Sequence, residues 1–415
     1  MPHDRFVPLE AAHFLPDGPA ATSVAGAMRG GNRVFLSGRS ALCPDGSVAG
    51  LGDAAAQTEA ALDNIEAALN TAGGSLHDIT KLTTSLVDRA HRKRVYDTLG
   101  RRLKDVFPVS TGLVVAGLSH PELMVQIDAE AVIGAAVTRL RTFELKDWFS
   151  QDIAWQGAMV AAGPQDIFIR GQTGAALDGS VMAGPGRRPQ DAAAQADCAL
   201  TNLATLLHEA GAEMDDVTKI TVYISDRAYR HAVYPIIGRH FRGIHPVSTG
   251  IIVPGFARPD ILFEIDVQAM RKQGCPHLRV RRYHSNAVRY GFSQQNIDCD
   301  FCMAVRAGGH VVLRGQTGTD LNEVMHGAGD PPAQAEQAMQ NVAVLLGEAG
   351  ARLSDVVKAT VFVTDRAYLT CVTDVVLRHL GPAVPCLSTL IIKGLASPEL
   401  VMEVDITAML QGDNA

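Results

Sequence analysis

The sequence contains no apolar run approaching the ~18–20 residues that span a bilayer, which excludes a membrane-spanning helix and makes a membrane an unexpected partner. It opens Met-Pro-His-Asp-Arg-Phe-Val, without the basic-then-apolar layout of a secretory leader, so a cytoplasmic location is expected. No basic run and no basic-aromatic patch stands out. The formal charge of −7 and the pI near 6.0 are mild, so nucleic acid is not expected as a partner. Seven cysteines, an odd number at unrelated places, do not make a disulfide framework and fit a reducing compartment. Cys299-Asp-Phe-Cys302 has half-zinc-site spacing but no second ligand pair close in sequence, so no metal and no organic cofactor is expected. What remains is ordinary for a globular chain: 415 residues, 47% hydrophobic and 20% charged.

One pattern is written three times, at a spacing of 138 and then 139 residues. Gln57, Gln195 and Gln334 set the register. Asn64, Asn202 and Asn341 follow, then Lys81, Lys219 and Lys358, then the pairs Asp88-Arg89, Asp226-Arg227 and Asp365-Arg366. Pro108, Pro246 and Pro385 come next, then Gly117, Gly255 and Gly394, and last Asp128, Asp266 and Asp405. A period of that length is a small domain, not a solenoid unit, so the chain reads as three fused copies over residues 1–137, 138–275 and 276–415.

Within the second copy, Asp166 to Arg170 reads as a strand leaving through Gly171-Gln-Thr-Gly174. Apolar residues from Ala192 to Ala210 recur at helical spacing and stop at Gly211. Val217 to Ile224 alternates as a half-buried strand, Asp226 begins a helix through His240, and strands over Thr249 to Val253 and Leu262 to Met270 close the unit. Two helices cover only one face of such a sheet. Three copies therefore predict an α+β pseudo-threefold body, sheets inward and helices outward, with a cleft at each junction. Residues 133–141 and 270–281 are the only passages between copies, and the third copy has a longer lead, from Arg282 to Cys302.

Gly-Gln-Thr-Gly after a strand, the Gln-x6-Asn helix, Asp-Val-Val-Lys-Ala-Thr-Val-Phe-Val-Thr-Asp at 355–365, His-Pro-Val-Ser-Thr-Gly at 245–250 and Phe-Glu-Ile-Asp at 263–266 together resemble the Rid (YjgF-like) family, three times over. The resemblance implies three chorismate-mutase-like units, each a mixed sheet under two helices. It also implies a trimer written as one chain, open to further oligomerisation, with small-molecule sites between units. The best-known branch hydrolyses enamines and imines to ketones and ammonia, gripping the substrate carboxylate with an Arg shortly after the Pro. That position holds Ser110, Ser248 and Leu387 here, so the guanidinium fork is missing from all three copies.

Arg170 and Arg314, at the strand end before Gly-Gln-Thr-Gly, supply candidate replacements; equally, they read as pins between copies. The family's water-handling Glu falls on Gln126, Glu264 and Glu403, and the two acids read either as catalytic or as partners of Lys219 and Lys358. The expected reaction is hydrolysis or deamination at a C–N or C=N centre. Glu264 or Glu403 is assigned to water, and Gln172, Thr173, Gln316, Thr317, Ser110 and Ser248 join the arginines in binding substrate. Copy one lacks both Arg and acid, so fewer working sites than copies are expected. Two other readings stand beside this: a non-catalytic binding or scaffold protein, and a cyclic-amide hydrolase built on Ser-Lys pairs.

Overall fold

Polar caps and glycines set the helix ends. The computed structural model describes residues 4–6, 24–146, 152–284, 299–381 and 383–410. Among these run six helices, Ala54–Thr71 (α1), Arg92–Arg102 (α2), Pro189–Glu209 (α3), Arg230–His240 (α4), Pro331–Glu348 (α5) and Leu369–Leu380 (α6). Asp53 caps α1 and Asp330 caps α5 through their carboxylates, while proline opens α3. Just beyond α1, α3 and α5 stand Gly73, Gly211 and Gly350, at φ of 83°, 69° and 79°, a left-handed turn that glycine adopts without strain. The inner stripes of these long helices, such as Ala61, Leu62, Ile65 and Leu69 of α1, are fully buried.

Each repeat builds one mixed sheet. In the second, the strands lie in the order Val247–Ile252, Val217–Ile224, Phe263–Met270, Asp166–Ile169, Gln156–Ala162, Thr138–Glu144. The first two of these pair in parallel across a helix connection, and the rest are antiparallel. The first and third repeats repeat this order, with Ile79–Leu86 and Val356–Val363, respectively, in the place of Val217–Ile224. The α+β expectation therefore holds, with helix and strand bounds within a few residues of the sequence reading. One passage differs: the segments between repeats are not plain linkers, because Thr138–Glu144 and His277–Val280 are edge strands of the sheets that follow. Most of the lead into the third repeat, residues 285–298, lies outside the described residues.

Contacts between repeats run in a fixed sense, first to second, second to third, third to first. The ammonium groups of Lys81, Lys219 and Lys358 bind Asp266, Asp405 and Asp128 of the next repeat, the last at 2.8 Å. The hydroxyls of Thr111, Thr249 and Ser388 donate to the same carboxylates. Arg89 donates to the carbonyl of Phe256, Arg227 to that of Leu395 and Arg366 to that of Leu118. A Cβ on Gly255, Gly394 or Gly117 would lie 2.6–2.8 Å from those guanidinium groups, so the recurring glycine lets the neighbour's arginine reach the loop. The Asp of each Asp-Arg pair caps the short turn that presents the Arg, accepting from the N–H of Ala90, Ala228 or Ala367. On the inner faces, Leu113, Tyr223, Ile251, Phe362 and Leu390 from all three repeats pack into one apolar cluster. Among the described residues no helix is long and apolar enough to cross a membrane.

Candidate active site between the first and second repeats

A cleft opens where the parallel strand Val109–Val114 and α2 of the first repeat face the Gly171 loop and the strand Phe263–Met270 of the second. Its empty space is about 510 Å³, open solvent at the mouth included. Its polar wall carries Arg92, Tyr96 and Ser110 from the first repeat with Arg170, Thr173, Arg258 and Glu264 from the second, Arg258 being paired with Asp260; Leu145, Trp155 and Ile261 form the apolar wall. Trp155 meets Tyr96 edge to face, with ring centroids 5.8 Å apart.

Glu264 is held by the backbone on both sides. It accepts a hydrogen bond from the N–H of Gly112 across the junction. On its own side, a Cβ at Gly171 would lie 2.1 Å from its Oε1, so only glycine leaves room for the carboxyl. Burial pushes this carboxyl up to about 8, with Asp266 adding to the shift and Arg170, Gly112 and Lys81 opposing it. Asp266 is itself committed to Lys81 and Thr111. Burial also lowers Arg170 to about 10 and lowers Arg92, whose charge Tyr96 and Glu264 favour. Aromatic faces fix both guanidinium planes: Arg92 lies 4.9 Å from the ring centre of Tyr96, and Arg170 lies 5.2 Å from that of Phe143.

The second junction repeats the residue set. Arg230, Tyr234 and Gly250 take the places of Arg92, Tyr96 and Gly112, and Arg314, Gly315 and Glu403 those of Arg170, Gly171 and Glu264. Burial pushes Glu403 up to about 8, Asp405 again adding to the shift. A small cavity of about 180 Å³ on the same measure borders Arg230, Tyr234, Gly250 and Ala396; Glu403 and Arg314 do not line it. Two walls differ. Cys299, whose thiol donates to the carbonyl of Tyr234, stands in the place of Trp155, and Ser397 in that of Arg258.

At the third junction the set is gone. Leu369, Thr373 and Leu387 stand where Arg92, Tyr96 and Ser110 stand in the first, and Ser37 and Gln126 replace the second Arg and the Glu. Leu369 and Leu387 are buried. Ser37 donates to the carbonyl of Ala25, and Gln126 donates to Asp128. Arg39, in the place of Gln172, donates to the carbonyl of Gly26. Cys386 beside it is pushed up to about 12 by burial, which leaves a thiol with no nucleophilic character at neutral pH.

Of the residues singled out from sequence, Ser110, Arg170, Thr173 and Glu264 line one cleft. Glu403 stands within electrostatic reach of Arg314. Gln172 and Gln316 turn away, giving their amide N–H to the carbonyls of Arg170 and Arg314 at 2.7 Å. Thr173 and Thr317 accept from the N–H of Ala175 and Thr319, shaping the loop. Ser248 is buried at the second junction. Sequence reasoning missed Arg92 and Tyr96 with their counterparts Arg230 and Tyr234. The signal was present: Arg-x3-Tyr occurs in the first two copies and Leu369-x3-Thr373 in the third. Among the described residues no cluster of His, Cys, Asp and Glu has a metal-holding arrangement.

A family model described as Endoribonuclease L-PSP matches the chain three times, over residues 17–133, 159–271 and 296–410. The 3-aminoacrylate deaminase RutC of Acinetobacter baylyi is 33% identical over 123 residues, covering 28% of this chain and 94% of that protein. The crystal structure of a chorismatase is similar with a TM-score of 0.52 at 14% identity, over 80% of this chain and 93% of that one; at such identity the likeness concerns the fold. Rv2704 of Mycobacterium tuberculosis, a member of the YjgF/YER057c/UK114 family, is 28% identical over 32% of this chain and 99% of its own, with a TM-score of 0.26.

Proposed function

The chain belongs to the Endoribonuclease L-PSP family, the Rid (YjgF-like) proteins, in three fused copies, and on that premise we propose that it hydrolyses a small carboxylate-bearing enamine or imine in the cleft between its first and second repeats. The observation that carries the reading is Glu264, a buried carboxyl flanked by Arg92 and Arg170, with its proton affinity raised to about 8. The 3-aminoacrylate deaminase relative supports the reaction class. A small cleft lined by three arginines and a tryptophan suits a small acid better than an RNA strand.

At neutral pH Glu264 is mostly protonated and serves as the general acid. It gives its proton to the enamine carbon, producing an iminium. Water then adds to the C=N carbon as the resulting carboxylate takes the water's proton. The carbinolamine expels ammonia and leaves a carbonyl, so one water is consumed and one ammonia released. The arginines hold the substrate carboxylate, and Trp155 with Ile261 walls off bulk water.

Ammonia release from an enamine acid tests this. Glu264→Gln is expected to slow turnover about 100-fold or more, the worth of a general acid-base group. Glu403→Gln, whose carboxyl does not line the open cleft, is expected to do much less. Undiminished ammonia release by the double variant rejects the assigned role, and binding without ammonia moves the protein to the scaffold reading.

A further inference from the structure

We propose that Tyr96 is a catalytic residue of the cleft between the first and second repeats: its hydroxyl donates to the oxygen of the hydrolytic water and sets that oxygen against the C=N carbon. This rests on the reading of that cleft as the reaction site, and it assigns a group to a step in which only Glu264 has so far been given a part.

A missing side chain fixes the place of the hydroxyl. A Cβ on Gly112 would lie 2.5 Å from the phenol oxygen, so the hydroxyl occupies the space beside that glycine. The N–H of the same glycine holds the carboxyl of Glu264. Phenol and carboxyl therefore meet at one backbone residue, and all three residues line the cleft. The ring is held from two sides, by Trp155 edge to face and by the guanidinium of Arg92 over its plane. Thr84, the strand partner of Gly112, stands behind the phenol, but its hydroxyl makes no hydrogen bond of normal geometry. A buried phenol needs an acceptor for its hydrogen, and an oxygen bound beside Glu264 is one. Burial, with Glu264 adding to it, raises the proton affinity of Tyr96, so the phenol stays neutral and acts as a donor.

The step balances with the phenol unchanged. The water gives one proton to the Glu264 carboxylate, its oxygen bonds to the carbon, and the π pair of the iminium returns to nitrogen. The phenol keeps its hydrogen throughout, and its hydrogen bond passes from the water to the carbinolamine hydroxyl and then to the product carbonyl.

The chain carries its own comparison. At the second junction Tyr234 again fills the space beside a glycine, Gly250, and Glu403 is present. At the third, Thr373 and Thr389 replace that pair, both buried, and Gln126 replaces the acid. Phenol, glycine and carboxyl are thus present together or replaced together. Packing alone does not require the phenol, because Thr373 and Thr389 close the third junction without it.

Ammonia release from an enamine acid, measured with Tyr96→Phe, tests the step. The variant loses one oxygen atom and keeps the ring. Its kcat is expected to fall at least about tenfold, the low end for one lost donor at a reacting oxygen, with KM, the melting temperature and the pH limb set by Glu264 close to native. Gly112→Ala drives a Cβ into the place of the hydroxyl, should lower kcat as well, and serves if the phenylalanine variant does not fold. Undiminished kcat in Tyr96→Phe, or a loss confined to KM, overturns the proposal and leaves the reaction standing. So does a shifted pH limb with the plateau kcat retained, which would show that the hydroxyl only tunes Glu264. No ammonia from the native protein with any enamine acid overturns the reaction itself and this step with it.

Discussion

Gly171 and Glu264 are a single device, because the carboxyl sits where the missing side chain would be. Gly171→Ala brings a Cβ to 2.1 Å from Oε1 of Glu264 and 2.9 Å from Oγ1 of Thr111. Overpacking of this kind costs about 1–3 kcal/mol. Since the glycine is not at positive φ, relief comes from moving the carboxyl, so turnover is expected to fall far more than the melting temperature. A variant with native kcat would show that the carboxyl's position is not critical. The raised proton affinity of Glu264 and Glu403 has a signed consequence. A carboxyl near 8 when folded and about 4.3 when unfolded binds a proton on folding between those values. Its contribution is complete below about pH 4.3 and is lost as pH rises through about 8. Thermal stability is therefore expected to decline from pH 6 to pH 9, and Glu264→Gln with Glu403→Gln should flatten the decline. An unchanged slope in the double variant would mean that these carboxyls are ionised in the folded protein.

Elements meet across the junctions through the Arg89-type clasp, which ties one repeat's turn to the next repeat's loop. Arg89 holds the carbonyl of Phe256, and the loop that follows supplies Ala257, Arg258 and Ile261 to the open cleft. Arg227 makes the same bond to Leu395 at the second junction. Arg89→Ala and Arg227→Ala are each expected to cost about 1–2 kcal/mol, a charged hydrogen bond at a partly exposed position. Only Arg89→Ala should also raise KM, since its loop walls the reacting cleft; equal effects on KM would place the chemistry elsewhere. The element pattern was legible in the sequence because the Gln, Asn, Asp and Gly marks recur at fixed spacing. Gln195, for one, pins the loop before the last strand, donating to Gly184 and Asp260 and accepting from Leu262. Partnership was not legible, since each recurring Lys and Arg finds its acceptor in the next copy and spacing within a copy cannot show it. Arg92 and Tyr96 escaped notice for the same reason: on their own repeat they are one turn of a helix, and only the neighbour makes them a wall.

Fusion lets positions that a homotrimer must keep identical become different. Arg33, Asp166 and His310 occupy one such position, paired in register with Val132, Met270 and Met409 of their own repeats. Three copies of any one of them would bring like groups together. Instead Arg33 donates to Asp166 at 2.9 Å and lies 3.2 Å from Nε2 of His310, while its other nitrogen binds Glu130 at 2.7 Å. Because a guanidinium only donates, His310 must accept and be neutral, and burial together with Arg33 and Lys219 holds its proton affinity well below the usual imidazole range. In the unfolded chain that imidazole titrates near 6.5. Below that pH the unfolded state binds the extra proton, so stability falls as the solution is acidified. His277, lowered to about 4 chiefly by burial, acts in the same window, so the native slope alone does not isolate His310. His310→Gln does: the amide oxygen still accepts from Arg33 and carries no titratable proton. The variant should melt close to the native protein at pH 8 and lose less stability between pH 6.5 and pH 4.5. Parallel melting curves across that window would mean that His310 keeps its proton in the folded molecule, and with it that Arg33 does not hold the three repeats by the bonds described.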